Sequence, residues 1–252
     1  MAPSASLNLG QNKENFKTQA SSNYHEAFEK RKKDVIPMTF FIHEDEFMDV
    51  KASPKYDISV PGALYYERIK VFNLLEKIKK FRYIRTNLIL QNIERIESLL
   101  KTDFNRNKWV IKVRNYLFRN LINNSFVSFT DGSQFAYPVR KFFEIPAFGS
   151  LLFAVPFYNH EKLGFKDGVN FIAASSDNII EKLEYFLQHK AKALEIIVHS
   201  RRLIKETHSF EAWKANFSKI WSAIKADDFY GIEWEDGDLK FMDKEVIKEE
   251  KE

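Results

Sequence analysis

The residues best suited to chemistry in this chain crowd into one stretch, TDGSQFAYPVRKFFEIPAFGSLLF, from Thr130 to Phe153. A polar loop, Asp131 to Tyr137, leaves an apolar strand and feeds a helix. Pro138 is expected to open that helix, at a position where its missing N–H costs nothing. Free amides at such a helix start, together with the helix dipole, suit an anion. Arg140 falls in the first turn and offers a charge-assisted contact to a diphosphate. Glu144 lies one turn further on the same face, where a carboxylate can accept hydrogen bonds from two ribose hydroxyls. An Arg–Glu pair at this spacing is equally the common surface ion pair of a helix, so spacing alone leaves both accounts open. Gly149 lets the chain turn sharply into the next strand.

Those residues need elements to hold them. YDISVPG (Tyr56 to Gly62), Phe126 to Thr130, SLLFAV (Ser150 to Val155) and VNFIA (Val169 to Ala173) read as short apolar strands. Helices are expected on the stripes Ile69, Phe72, Leu75, Ile78; then Ile89, Ile93, Ile96, Leu100; then Trp109, Val113, Tyr116, Leu117, Leu121. After Pro138 the apolar side is Val139, Phe142, Phe143 and Ala147; Pro146 should kink that helix or end it early, and Gly149 should close it. Ser175 or Ser176 caps a helix carrying Ile179, Leu183, Phe186 and Leu187. Another helix runs from Lys190 to Lys205. Ser209 caps the last one, with Trp213, Phe217, Ile220, Trp221 and Ile224.

Alternating strands and helices predict an α/β domain with a Rossmann-like parallel sheet flanked by helices, and ligands of such sheets sit at the carboxyl ends of strands. The domain is expected over residues 56–224. Residues 1–55 read as an irregular segment containing the charge run Glu29 to Asp34 and the acidic stretch FFIHEDEF. Residues 225–252 read as an acidic tail.

The net charge is +4, but residues 225–252 hold 5 Lys against 11 Asp and Glu, a balance of −6, which leaves +10 on residues 1–224. A basic body suits an anionic small molecule, a nucleic acid or an acidic membrane face. The basic residues are dispersed rather than interleaved with exposed aromatics, so no nucleic-acid partner is expected. There is no cysteine, which excludes disulfides, thiolate metal sites and a cysteine nucleophile. No run approaches the roughly 18 apolar residues of a transmembrane span, and the N-terminus carries no apolar signal region. These features predict a cytoplasmic protein, with peripheral membrane contact at most. The six His show no metal-ligand spacing, and Asp236–Gly237–Asp238 reads as charged tail, so no metal is expected. Without a P-loop, GxSxG elbow or dinucleotide fingerprint, no cofactor is expected either. His160, following an apolar strand, is a minor candidate for contact with a ligand.

The segment YPVRKFFEIPAFGSLLF resembles the donor-domain signature of GT-B fold glycosyltransferases of the group 1, spore-maturation type. In these an Arg–x–x–x–Glu helix ending in Ala–x–Gly precedes an apolar strand. YDISVPGALYYERIKVFNLLEKI is similar to the opening strand and helix of that domain. GVNFIAASSDNIIEKLEYFLQH resembles its closing strand and helix, and THSFEAWKANFSKI its terminal helices. The resemblance spans Phe41 to Ile224 and implies a single GT-B half-domain that binds a nucleoside diphosphate sugar. By it, Glu144 binds the ribose, Arg140 and Lys141 face the diphosphate, and backbone from Gly132 and Ser133 to Tyr137 lies near phosphates and sugar. Gly62 lets backbone approach the donor, and Arg68 matches a basic position of the first helix.

Two departures matter. Many relatives carry a further glutamate eight positions before the ribose ligand; here that position is Ala136, so no catalytic residue is assigned. Residues 1–55 are too few for the acceptor-binding half, so the chain reads as a truncated gene product, a gene fragment, or one half of a split enzyme whose acceptor-binding half is a separate partner. The alternative is an inactive nucleotide-sugar-binding or scaffold module with the same fold.

Overall fold

The computed structural model describes residues 36, 37, 39–85, 108–132 and 136–242. The helix expected through Ile89 to Leu100 lies outside them, as does Ser133. In chain order the elements are β1 (Tyr56–Val60), α1 (Tyr66–Ile78), β2 (Tyr83–Arg85), α2 (Lys108–Asn123), β3 (Ser125–Thr130), α3 (Lys141–Ala147), β4 (Leu151–Ala154), β5 (Ile172–Ala173), α4 (Ile179–Gln188), α5 (Lys190–Thr207) and α6 (Phe210–Lys225). The five strands form one all-parallel sheet in the order β2-β1-β3-β4-β5. This is the Rossmann-like α/β sheet that the alternation predicts. β2 has no counterpart among the expected strands.

The sheet is covered on both faces, and strand alternation decides which residue goes where. Ile58, Val60, Val127, Phe129, Leu151 and Phe153 share a core with Val71 and Leu75 of α1, Leu183 of α4 and Ile196 of α5. The intervening positions face a second core, where Leu152 and Ala154 meet Phe142, Phe143 and Ile145 of α3 and Ile204 of α5. Three buried serines interrupt the apolar pattern. They satisfy one another: Ser59 Oγ and Ser128 Oγ are 2.7 Å apart, and Ser128 Oγ and Ser150 Oγ 2.9 Å. A hydroxyl ladder of this kind crosses strands without leaving a buried donor unmet.

Several expected helix faces are rotated. In α1 the buried residues are Arg68, Val71, Phe72 and Leu75, whereas Ile69 and Ile78 are exposed. The buried face of α1 instead carries Arg68, whose ion pair is described below. In α2 only the last turn, Leu121 to Asn123, is buried, and Trp109, Tyr116 and Leu117 are exposed. Val169 is exposed and β5 starts at Ile172. The cap of α4 is Asn178, not Ser175 or Ser176; its Oδ1 accepts from the Ser175 amide at 3.0 Å. Ser209 does cap α6, accepting from the Ala212 amide at 3.1 Å.

Pro138 does not open α3. The helix begins at Lys141, three residues later, with Arg140 as N-cap. Pro146 sits in its last turn, and the helix ends at Ala147 as expected. The freed carbonyl of Ala147 accepts from the Met48 amide (3.0 Å) and from Arg201 Nη1 (2.8 Å).

Described residues on both flanks, 39–55 and 226–242, pack onto the sheet domain or form structure of their own. Ile42 is fully buried, exchanging backbone bonds with His208 and Phe210. Residues beyond α6 form an antiparallel hairpin, β6 (Ile232–Glu235) and β7 (Asp238–Phe241). Asp236–Gly237, at the centre of the DGD triplet, is its turn, with both residues at positive φ. Trp234 of the hairpin donates from Nε1 to the Pro37 carbonyl at 2.7 Å.

Candidate donor site at the carboxyl edge of the sheet

In this strand order the chain passes from β1 outward to β2 and then returns to the other side of β1 as β3. Ligands of open α/β sheets bind where the order reverses, outside the carboxyl ends of the two strands. Here that place is the end of β1, followed by Pro61–Gly62, and the end of β3, followed by Asp131–Gly132.

Four of the residues singled out from the sequence meet there. Gly62 has φ +88°, a conformation that costs a residue with a Cβ about 1–2 kcal/mol. A Cβ at Gly62 would lie 2.4 Å from Lys141 Cε and 2.9 Å from Lys141 Nζ, with Arg68 Nη1 at 3.4 Å. The ammonium of Lys141 and the guanidinium of Arg68 therefore converge over this glycine. Arg68 is held by a buried ion pair, Nε to Asp131 Oδ1 at 3.0 Å, with both side chains about 5% exposed or less. Its guanidinium also lies over the Tyr65 ring. Burial pulls the Lys141 ammonium below the usual lysine value; Glu144 opposes that shift, Arg68 adds to it and Asp131 opposes it.

Gly132 is also where close approach demands a glycine. Its Cβ would meet the Tyr137 carbonyl at 3.0 Å and Ala136 Cα at 3.1 Å. The loop closes on itself through the Tyr137 amide, which donates to the Gly132 carbonyl at 3.2 Å. Tyr137 is half exposed beside it.

Arg140 and Glu144 belong to a second cluster one turn away. Arg140 Nε bonds Glu144 Oε1 at 2.9 Å, and Arg140 Nη2 bonds both oxygens of Glu46 at 3.0 Å. Arg119 Nη2 bonds Glu46 Oε1 at 2.6 Å. Glu144 is 14% exposed and Arg140 44%. Burial raises the Glu144 carboxyl above its ordinary range, against the pull of Arg140 and Lys141. The pair is thus neither a free surface pair nor a core one.

Two sequence expectations change on this geometry. The first amides of α3 are not free: Phe142 donates to the Val139 carbonyl and Phe143 to Arg140, each at 3.0 Å. The cations that converge at this edge are the side chains of Lys141 and Arg68. Arg140 already faces two carboxylates, so its charge is compensated within the protein. Sequence reasoning missed Asp131 as the partner of Arg68, and Glu46 and Arg119 altogether. His160 stands apart, with Nδ1 3.1 Å from the Phe157 carbonyl and its ring against Phe157 and Phe171. Asp236 pairs with Lys166 at 2.6 Å.

No helix among the described residues is long and apolar enough to cross a membrane. A search of curated proteins finds no match. Residues 74–218, which are 145 of the 252, match the model of a family described as Glycosyl transferase-like. The matched span runs from within α1 to within α6. It contains Asp131, Gly132, Lys141 and Glu144, and stops short of Gly62 and Arg68. With more than half of its length matched in this way, the chain belongs to the glycosyl transferase-like family.

Proposed function

We propose that the chain binds a nucleoside diphosphate sugar across the ends of β1 and β3 and serves glycosyl transfer from it. The observation that carries this reading is the convergence of Lys141 and Arg68 over Gly62 at the sheet's reversal point. Two cations, only one of them paired with a carboxylate at the site, match a diphosphate. Gly62 leaves room for the Lys141 side chain to cross the backbone and bring its ammonium beside Arg68. Glu144 accepts the two ribose hydroxyls, and Arg140, clamped between Glu46 and Glu144, holds that carboxylate in place. In transfer, the bond from the anomeric carbon to the diphosphate oxygen breaks and the electron pair leaves with the diphosphate. Lys141 and Arg68 stabilise the charge that grows there. The acceptor oxygen forms the new bond to the anomeric carbon, and its proton passes to the departing diphosphate.

Calorimetric titration with UDP and GDP tests the reading. Wild type is expected to bind one of them, and Glu144→Ala and Lys141→Met each to weaken binding by roughly tenfold or more. No heat with either nucleotide in the wild type removes the proposal. A second reading, a binding module without turnover, is favoured by Ala136 standing where relatives carry a glutamate. Release of free sugar or glycosylated product from the nucleotide sugar by the chain alone would exclude it; binding without either would support it.

A further inference from the structure

The opposite edge of the sheet holds a different hollow, of about 340 Å³. It lies under the amino ends of three neighbouring strands, between Asp57 of β1, Ser125 of β3 and Gly149 just before β4. β3 alone, at six residues, separates it from the donor site by roughly 20 Å. Its volume falls in the range of about 300–1,000 Å³ usual for small-molecule sites.

The lining is divided by depth. Phe126, Leu187 and Ile197 are buried or half-buried, Val50 closes one side, and Leu194, 49% exposed, stands at the mouth. Three cations, Lys51, Arg82 and Lys190, are exposed around that apolar interior. The one carboxylate of the lining, Asp57, is already taken by Arg82, whose Nη2 lies 2.6 Å from Oδ1 and whose amide donates to Oδ2 at 2.8 Å. Lys51 donates to Asn124 Oδ1 at 2.6 Å, a neutral partner that leaves its charge uncancelled. α5 starts at Lys190, so the positive end of its dipole adds to the same rim.

An apolar interior under a cationic rim discriminates by head and tail together. A free inorganic anion gains nothing from the interior, and a neutral or cationic chain gains nothing from the rim. We infer that this hollow is a second ligand site, for a single-chain amphiphile with an anionic head, a carboxylate or a phosphate monoester. The alkyl chain lies against Phe126, Leu187 and Ile197, and the head group lies between Lys51 and Lys190, with Arg82 held by Asp57 at the rim. The inference is independent of the donor site, since no residue lines both.

Calorimetry on the full chain with decyl phosphate and decanoate, kept below their aggregation concentrations, tests it. Inorganic phosphate and decyltrimethylammonium, which carry the head or the tail alone, serve as controls. Saturable binding of the two anionic amphiphiles and of neither control is expected. Leu194→Asp puts a carboxylate at the mouth, and Lys190→Glu reverses one rim charge at a helical position that favours acids. Each should weaken decyl phosphate roughly tenfold with an unchanged circular dichroism spectrum. Lys141→Met should bind decyl phosphate as wild type does. The inference is overturned by equal binding of decyltrimethylammonium, by inorganic phosphate binding alone, by unaltered affinity in both mouth variants, or by loss of binding in Lys141→Met, which would put the anion in the donor site.

Discussion

Lys141 carries the donor-site reading, and its environment makes that reading pH-dependent. Burial and Arg68 favour its neutral form, while a bound diphosphate needs the ammonium. Affinity for UDP should therefore fall as pH rises through the lowered pKa, earlier than the ordinary lysine value of 10.5. The nucleotide's own ionisation is common to wild type and Lys141→Met, so the difference between their two affinity profiles reports Lys141. A difference that stays constant from neutral pH to the ordinary lysine range would contradict the placement of this ammonium on the phosphates. Arg68 has a structural share as well. Arg68→Met strips the cation from a carboxylate at 3.0 Å in a buried setting, and breaking such a pair costs about 3–5 kcal/mol. Urea unfolding should show that loss, and Arg68→Met combined with Asp131→Asn should recover part of it. A loss below about 1 kcal/mol, the scale of an exposed pair, would show that the pair is not insulated from solvent.

At the scale of elements, His208 joins pieces far apart in sequence. It follows α5, and its Nε2–H donates to the Leu163 carbonyl at 2.9 Å. That tautomer leaves Nδ1 to accept from the Thr39 hydroxyl at 3.3 Å. Its ring also meets Phe143 of α3, Phe165 and Trp234 of the hairpin. Full burial lowers its pKa from 6.5 to about 4, against the opposing bond to Leu163. The folded state thus holds a neutral imidazole. Its contribution is complete above pH 6.5 and is lost as pH falls from 6.5 toward 4, because the unfolded chain takes up a proton that the fold refuses. Over that interval the loss is roughly 3 kcal/mol. Stability measured by urea between these pH values should fall with a slope close to one proton in the wild type and flatten in His208→Gln. An unchanged slope in that variant would assign the acid sensitivity elsewhere.

The same elements show what could be read from the sequence. β1, β3 and β4 announce themselves as apolar runs, and Ser209 as a cap before a periodic stripe, because hydrophobic burial and local capping are short-range signals. β2 is three residues long and is defined by its pairing with β1, which no local pattern encodes. The faces of α1 and α2 follow tertiary partners, Asp131 in one case, rather than periodicity. Part of the candidate site was legible in its residue types, since Lys141, Gly62 and Arg68 do converge. The division between Arg140 and Lys141 was not legible, because it depends on Glu46. Within Glu44, Asp45 and Glu46, only the fold distinguishes the buried carboxylate from its two exposed neighbours.

For the whole molecule, the sheet separates the two edges. The carboxyl edge gathers Lys141, Arg68 and Glu144, and the amino edge gathers Lys51, Arg82 and Lys190. Five basic residues of the described chain thus stand at two separate places on the sheet. A ligand that binds only the folded chain stabilises all of it, by about 2.7 kcal/mol at a hundredfold excess over the dissociation constant. For a chain of this size each kcal/mol raises the melting temperature by about 2–4 °C. A saturating nucleoside diphosphate should therefore raise it by roughly 5–10 °C. The rise should persist in Leu194→Asp, whose change lies at the far edge, and fall to about half or less in Lys141→Met at the same nucleotide concentration. With both ligands present the two stabilisations should add to within about 0.5 kcal/mol, as distant sites without shared partners do. A nucleotide-induced rise abolished by Leu194→Asp, or a shift with both ligands no larger than with one, would mean that the two edges are one coupled site.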